Sequence, residues 1–165
     1  MATSEKQSLP KKLHFYRQAA LNGDSNAQAH LGNFYLNGQG VSKNINLAFH
    51  WFQKSAEKGN PLGQTKLGLM YLAGWACKQN YEKAAFWFKK AAINGVPGAQ
   101  AALSELYFKG KGVTKDPVKA YMWICLAQKN GHKIKNETIV SMSQELNPEQ
   151  IREAQNLARA WTPLQ

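Results

Sequence analysis

Residues that could do chemistry are few in this chain of 165 residues, and they share no spacing. The four histidines and two cysteines are scattered, so no tetrahedral metal site is indicated. The acidic residues of the middle of the chain stand singly, which argues against a catalytic carboxylate pair. We therefore expect no catalytic residue, no metal and no cofactor, and the protein is predicted not to be an enzyme. The residues considered are His14, His30, His50, His132, Cys77, Cys125, Glu82, Glu105 and Asp116.

Two glycine-rich segments, GQGV at 38–41 and GKGV at 110–113, resemble phosphate-binding loops only superficially. They lie at equivalent places in a repeated pattern, so they are predicted to be turns rather than a nucleotide cradle. The two cysteines stand at non-equivalent places in the same pattern. We therefore expect free thiols and no disulfide framework.

The net charge of +11 is concentrated in one part of the chain. Between Lys78 and Lys135 there are eleven lysines against three acidic residues. This surface could attract an acidic protein, nucleic acid or anionic lipid, or it could simply be solvated. Nucleic-acid binding is weakly supported, because only three arginines are present and base and phosphate recognition favour arginine. The lysines that would carry it are Lys78, Lys83, Lys89, Lys90, Lys109, Lys111, Lys115 and Lys119.

Neither the opening MATSEKQSLPKKLHFY nor any later run is apolar enough for a signal peptide or a span of about 20 apolar residues. The prediction is a soluble, cytoplasmic monomer, with a secreted effector as the alternative location.

A period of 36 residues organises the chain. Shifting the sequence by this distance brings like residues together without insertions, which is typical of a solenoid. Gly32 and Gly68 recur in the middle of predicted helices, where glycine costs about 1 kcal/mol relative to alanine, so a neighbouring helix is predicted to come close there. The recurring sets are Gln28, Gln64 and Gln100; Tyr35, Tyr71 and Tyr107; Gly38, Gly74 and Gly110; Ala48, Ala84 and Ala120; and Trp51, Trp87 and Trp123.

Helical spacing of apolar residues predicts a pair of helices in each repeat. The first helices cover 25–37, 61–73 and 97–109, and the second helices cover 45–58, 81–94 and 117–130. A helix at 10–22 precedes them, and helices at 133–146 and from 148 onward follow. The predicted fold is all-α with about nine helices: a flexible segment at 1–9, a solenoid at 10–131 and capping helices at 132–165.

Recurrent motifs resemble the Sel1-like repeat, a relative of the tetratricopeptide repeat. They include Leu31-Gly32 with Tyr35, Gly40-Val41, and Lys83-Ala84 with Trp87. The resemblance covers about residues 12–131. It implies a right-handed α-solenoid of antiparallel helix pairs that acts as an adaptor for a protein or peptide, an acidic one included. Within that class, a bacterial effector, a secretion chaperone and a toxin-immunity protein are alternatives, and a basic nucleic-acid-binding protein is the alternative from another class.

The resemblance also implies where a partner would bind, namely a concave groove formed by the first helices. Leu36, Leu72 and Phe108 would form an apolar row along it, although the same residues could instead pack under the glycine turns. Trp75 replaces a turn residue in the second repeat and is predicted to be an exposed hot spot. The groove residues are Asn33, Leu36, Asn37, Thr65, Leu69, Leu72, Ala73, Trp75, Glu105, Phe108 and Lys109.

Overall fold

The computed structural model describes the backbone of residues 2–163 and the side chains of residues 11–163. Within these residues the chain forms nine α-helices and no β-strand, so the predicted all-α fold of repeated helix pairs is confirmed. The helices are α1 (Ala2–Leu21), α2 (Ser25–Asn37), α3 (Ile45–Glu57), α4 (Pro61–Ala73), α5 (Tyr81–Ile93), α6 (Pro97–Lys109), α7 (Pro117–Lys129), α8 (Asn136–Ser143) and α9 (Pro148–Ala160).

Short polar side chains fix where most of these helices begin. Each accepts a hydrogen bond from the backbone N–H three residues later, and such a cap contributes about 1 kcal/mol. α6 lacks a side-chain cap at Val96 but begins with Pro97, which needs no hydrogen bond from its nitrogen. The capping residues are Asp24, Asn44, Asn60, Asn80, Asp116 and Asn147.

The first compact unit, Met1–Gln79, contains α1 to α4. α1 packs against α2, α2 against α3 and α3 against α4, and α2 also contacts α4. Ala20, Ala27 and Leu31 form a buried cluster at the start of the unit, with Tyr16 and Trp51 packed against it. α1 stands in the register of a second repeat helix, and it therefore covers the apolar side of α2.

A close approach between α2 and α3 explains the glycine in the middle of α2. A Cβ atom at Gly32 would lie 2.6 Å from the ring of Phe52, whose side chain is fully buried. The close approach predicted from Gly32 is thus confirmed. In the third repeat Ser104 and Ile124 occupy the same two positions, and both are buried. Ser104 Oγ there donates a hydrogen bond to the carbonyl oxygen of Ala120 at 2.7 Å.

The second compact unit, Asn80–Gln165, contains α5 to α9. α5 packs against α6, α6 against α7, and α7 against both α8 and α9. The buried residues Tyr121, Ile124, Met142 and Ala154 join α7, α8 and α9 in one cluster. The last two helices therefore pack against α7 of the third repeat, and their capping role stays a prediction.

Some boundaries and burial patterns differ from the sequence-based expectation. α1 begins at Ala2 rather than at residue 10, so helical backbone includes most of the segment predicted to be flexible. α8 is shorter than predicted, because the backbone at Lys135 is still extended and provides no side-chain cap. The repeated pattern predicts that Trp51 and Trp87 face the first helices and lie in the core. Both are only half-buried, and the phenylalanines that follow them fill the core. The flexibility of residues 1–9 and the boundaries at 10–131 and 132–165 stay predictions.

Candidate functional site

The predicted groove residues of the first unit lie on α2, on α4 and in the turn after α4. On α2, Asn33 and Leu36 are half-buried and Asn37 is exposed. α2 also contacts α4, so the two helices that carry these predicted residues are neighbours in this unit.

On α4 the predicted groove residues differ in how far they are open to a partner. Leu69 exposes 38% of its surface, and Ala73 is exposed as well. Leu72 is half-buried. Thr65 is half-buried too, and its hydroxyl donates to the carbonyl oxygen of Pro61 at 2.8 Å within the same helix. Leu69 and Ala73 are therefore the members of this set that a partner could contact most fully.

The outward face of α4 carries three exposed apolar residues beside Lys66, a combination that the same face of the equivalent helices lacks. Leu62, Leu69 and Ala73 are exposed and recur at helical spacing, which places them on one side of α4. Together with Trp75 we call them the α4 face. The residues at the register of Leu62, Lys66, Leu69 and Ala73 are Asn26, His30, Asn33 and Asn37 on α2, and Gly98, Ala102, Glu105 and Lys109 on α6.

The turn that follows α4 takes the same path as the glycine turns of the other two repeats. The N–H of Trp75 donates to the carbonyl oxygen of Met70, just as the N–H of Gln39 donates to Phe34 in the first repeat. Trp75 exposes 49% of its surface, as the sequence predicts. Ala76 has a φ of 60°, a left-handed conformation for which the other repeats use glycine. Sequence reasoning missed this strain, although the repeat register pointed to it.

In the second unit the predicted groove residues are engaged within the chain itself. Glu105 and Lys109 form an exposed ion pair one helical turn apart. Phe108 is half-buried and packs against the cluster around Tyr121, while the ammonium group of Lys115 lies 5.6 Å from its ring centre. These side chains therefore have their own partners within α6 and its neighbours.

Many of the lysines that form the basic stretch also contact their own chain. Lys90 lies over the rings of Phe86 and Trp87, and Lys111 lies over Tyr81 at 5.1 Å. Two others form ion pairs at 2.8 Å, Lys115 with Glu145 and Lys119 with Asp116. A phosphate backbone would have to compete with these contacts, since it would use the same ammonium groups.

The potentially reactive side chains do not converge. Cys77 and Cys125 are both present as thiols. Burial raises the pKa of the Cys125 thiol, which lowers the fraction present as the reactive thiolate. Among residues 11–163, no three His, Cys, Asp or Glu side chains come together in a group that could hold a metal ion. In the part of the chain that the structure describes, every helix is too short or too polar to cross a membrane.

Solved structures of several bacterial proteins resemble this one. The structure of the protective antigen c5321 of uropathogenic Escherichia coli matches 90% of this chain, with a TM-score of 0.82 and 33% sequence identity. This chain spans only 32% of that protein. A Sel1 repeat protein from Oxalobacter formigenes is 36% identical over 81% of the chain and 98% of its own, with a TM-score of 0.69. Cysteine-rich protein B of Helicobacter pylori shares the fold, with a TM-score of 0.60 at 22% identity over 86% of the chain and 96% of its own.

Among proteins with curated functions, none matches this chain. The sequence pattern of the Sel1 repeat, in contrast, matches four consecutive segments, 13–24, 25–60, 61–96 and 97–132. The first match covers only the end of a repeat, in agreement with the register of α1, and the other three are complete. The chain belongs to the Sel1 repeat family.

Proposed function

We propose that this protein is a non-enzymatic scaffold that binds a protein or peptide partner through the α4 face. Proteins built from Sel1 repeats generally mediate protein–protein interactions, and their fold is generally a non-catalytic scaffold. One observation carries the choice of surface. Leu69 and Ala73 stand where the other two repeats have polar or charged side chains, and Leu62 stands where they have asparagine and glycine, so packing of the repeat does not require apolar residues there.

The chemistry of the surface indicates what the partner presents. Leu69 and Trp75 would contact apolar side chains, and a half-exposed tryptophan is the residue type most often found at interface hot spots. Asn33 and Asn37 on the adjacent α2 offer amide groups for hydrogen bonds at the rim. A helical or extended segment with apolar anchors between polar residues suits this arrangement. The net charge of +11 would speed the encounter with an acidic partner.

The experiment is affinity capture from the native organism, with the wild type compared with the double variant Leu69→Glu, Trp75→Ser. Both side chains are substantially exposed, so the variant should fold normally, which circular dichroism and a melting curve check. The matched control is Leu157→Glu, which places the same charge on an exposed leucine of α9 (46% exposed). We expect one partner that the wild type and the control retain and that the double variant loses.

Two results would contradict the proposal. Equal retention by the double variant would mean that the partner binds elsewhere. If the capture is lost after nuclease treatment and weakens steeply with added salt, the protein binds nucleic acid through its lysines instead.

A further inference from the structure

A second surface of the first unit, built from none of the residues of the α4 face, forms a pocket beside Trp51. The pocket has a volume of about 350 Å³, and Leu21, Gly23, Gln28, Trp51, Lys54 and Lys58 are among its lining residues. It lies where α1 ends, where α2 begins and along the last turns of α3.

Gln28 brings a buried polar atom without a partner to this pocket. Its side chain is only 3% exposed, and its Nε2 donates to the carbonyl oxygen of Ala20 at 3.2 Å. No hydrogen-bond donor among the described residues reaches its Oε1. A buried acceptor without a partner costs about 1–3 kcal/mol, so a donor brought by a ligand would be favoured at this atom.

The equivalent glutamine of the third repeat is fully satisfied. Nε2 of Gln100 donates to the carbonyl oxygen of Ala92 at 3.1 Å, and its Oε1 accepts from Nδ2 of Asn130 at 3.0 Å. In the first repeat the position of Asn130 is taken by Lys58. The ammonium group of Lys58 donates to the carbonyl oxygen of Gly23, and Oε1 of Gln28 has no partner. Oε1 of Gln64 in the second repeat also has none, although that repeat keeps the asparagine, because Nδ2 of Asn94 donates to the carbonyl oxygen of Lys90.

The third repeat also shows which side chains fit this place. The ring of Trp161 packs edge-on against Trp123, with 6.4 Å between ring centres. Pro163 lies 3.6 Å from where a Cβ of Gly95 would be. Trp123 and Gly95 are the counterparts of Trp51 and Gly23. In the third repeat, the tail of the chain therefore covers the surface whose counterpart in the first repeat is a pocket. Trp123 is accordingly buried, whereas Trp51 is half-buried.

We propose that the pocket beside Trp51 binds a segment of another protein that carries an aromatic residue followed two residues later by proline, and that a backbone or side-chain N–H of this segment donates to Gln28 Oε1. The aromatic ring packs against Trp51 and the proline packs over Gly23. The exposed ammonium group of Lys58 moves aside, which costs little because the lysine side chain is flexible and solvated. The segment comes from another protein, because the tail of this chain is engaged on its own third repeat.

The probe is a labelled peptide with the sequence of residues 158–163 (ARAWTP), titrated onto the full-length protein and followed by fluorescence anisotropy. We expect saturable binding that weakens at least about tenfold, or about 1.4 kcal/mol, when either the tryptophan or the proline of the peptide is replaced by alanine. In a two-dimensional ¹⁵N spectrum the indole N–H signal of Trp51, assigned with Trp51→Phe, should shift, and that of Trp123 should not.

Two variants on α1 form a matched pair for this test. Leu21→Asp places a charge in the pocket wall, and Phe15→Asp places the same charge on the same helix outside the lining residues. Both side chains are well exposed, at 62% and 67%, so neither variant should impair folding. Leu21→Asp should weaken peptide binding at least about tenfold, and Phe15→Asp should leave it unchanged.

Three outcomes would overturn the proposal. The peptide could fail to bind, or it could bind both variants equally well. The indole N–H signal that shifts could instead be that of Trp123, which would mean that the peptide only displaces the tail from the third repeat. Concentration-dependent dimers that the peptide dissociates would show that the occupant is a second copy of this chain and not another protein. None of these results bears on the proposal for the α4 face, because that proposal is tested with substitutions of other residues.

Discussion

Ala76 is the residue where this chain departs most clearly from its own repeat. It adopts a φ of 60°, and the residue at the same position of the first turn is Gly40, with a φ of 71°. A side chain in this left-handed conformation costs about 1 kcal/mol, because the Cβ atom crowds the following carbonyl oxygen. The turn nevertheless keeps its path, since the backbone hydrogen bond from Trp75 to Met70 is the same as in the other repeats.

The substitution Ala76→Gly should therefore stabilise the protein by up to about 1 kcal/mol, less than the full strain because glycine also loosens the unfolded chain. The melting temperature should rise by about 1–4 °C in a chain of this length. Gly40→Ala is the reciprocal control and should lower it by a similar amount. A lower melting temperature for Ala76→Gly would mean that the turn does not carry this strain in solution.

At the scale of the helix, the contact between α2 and α3 depends on a pair of positions. The first repeat combines Gly32 with Phe52, and the third repeat combines Ser104 with Ile124. The larger ring requires the smaller residue opposite, because a Cβ at Gly32 would lie 2.6 Å from that ring. The spacing between the two helices thus depends on the combined size of the two facing residues.

A double-mutant cycle tests this coupling. Gly32→Ser alone should destabilise the protein by about 1–3 kcal/mol, because the added atoms overfill a packed contact. Phe52→Ile alone should also be destabilising, since it removes part of a fully buried ring. The double variant reproduces the pair found in the third repeat, so it should be more stable than the two losses together predict, by about 1 kcal/mol or more. Chemical denaturation measures all four proteins, and strictly additive losses would contradict the coupling.

The same element scale separates what the sequence could predict from what it could not. The bounds of α2, α4 and α6 were predicted correctly, because a glycine ends each of them and a capping side chain or a proline marks each start, and all of these are local signals. The burial of the tryptophans was not predicted correctly. Trp51 and Trp123 have the same register, but only Trp123 packs against the tail of the chain. Within the candidate site, the exposure of Trp75 was predicted. The packing of Phe108 was harder to predict, because its cluster includes α8 and α9, which lie beyond the last complete repeat.

At the scale of the whole chain, each compact unit has a buried cluster of its own: Ala20, Ala27 and Leu31 in the first, and the cluster around Tyr121 in the second. In repeat proteins each repeat contacts only its neighbours, so stability is approximately a sum of local terms. A substitution that disrupts one cluster should therefore loosen nearby helices much more than distant ones.

Ala154→Asp tests this expectation, because it forces a carboxylate into the cluster of α7, α8 and α9, where Ala154 is fully buried. An ionised group without a partner there should lower the free energy of unfolding by about 3 kcal/mol or more. Hydrogen exchange followed by mass spectrometry should show the amides of α7 and α9 losing protection while those of α2 and α3 keep theirs. Leu157→Asp, an exposed change on the same helix, should leave both sets protected. Equal loss of protection in α2 and α3 would instead mean that the chain unfolds as one cooperative unit, because local stability terms could not carry the damage that far.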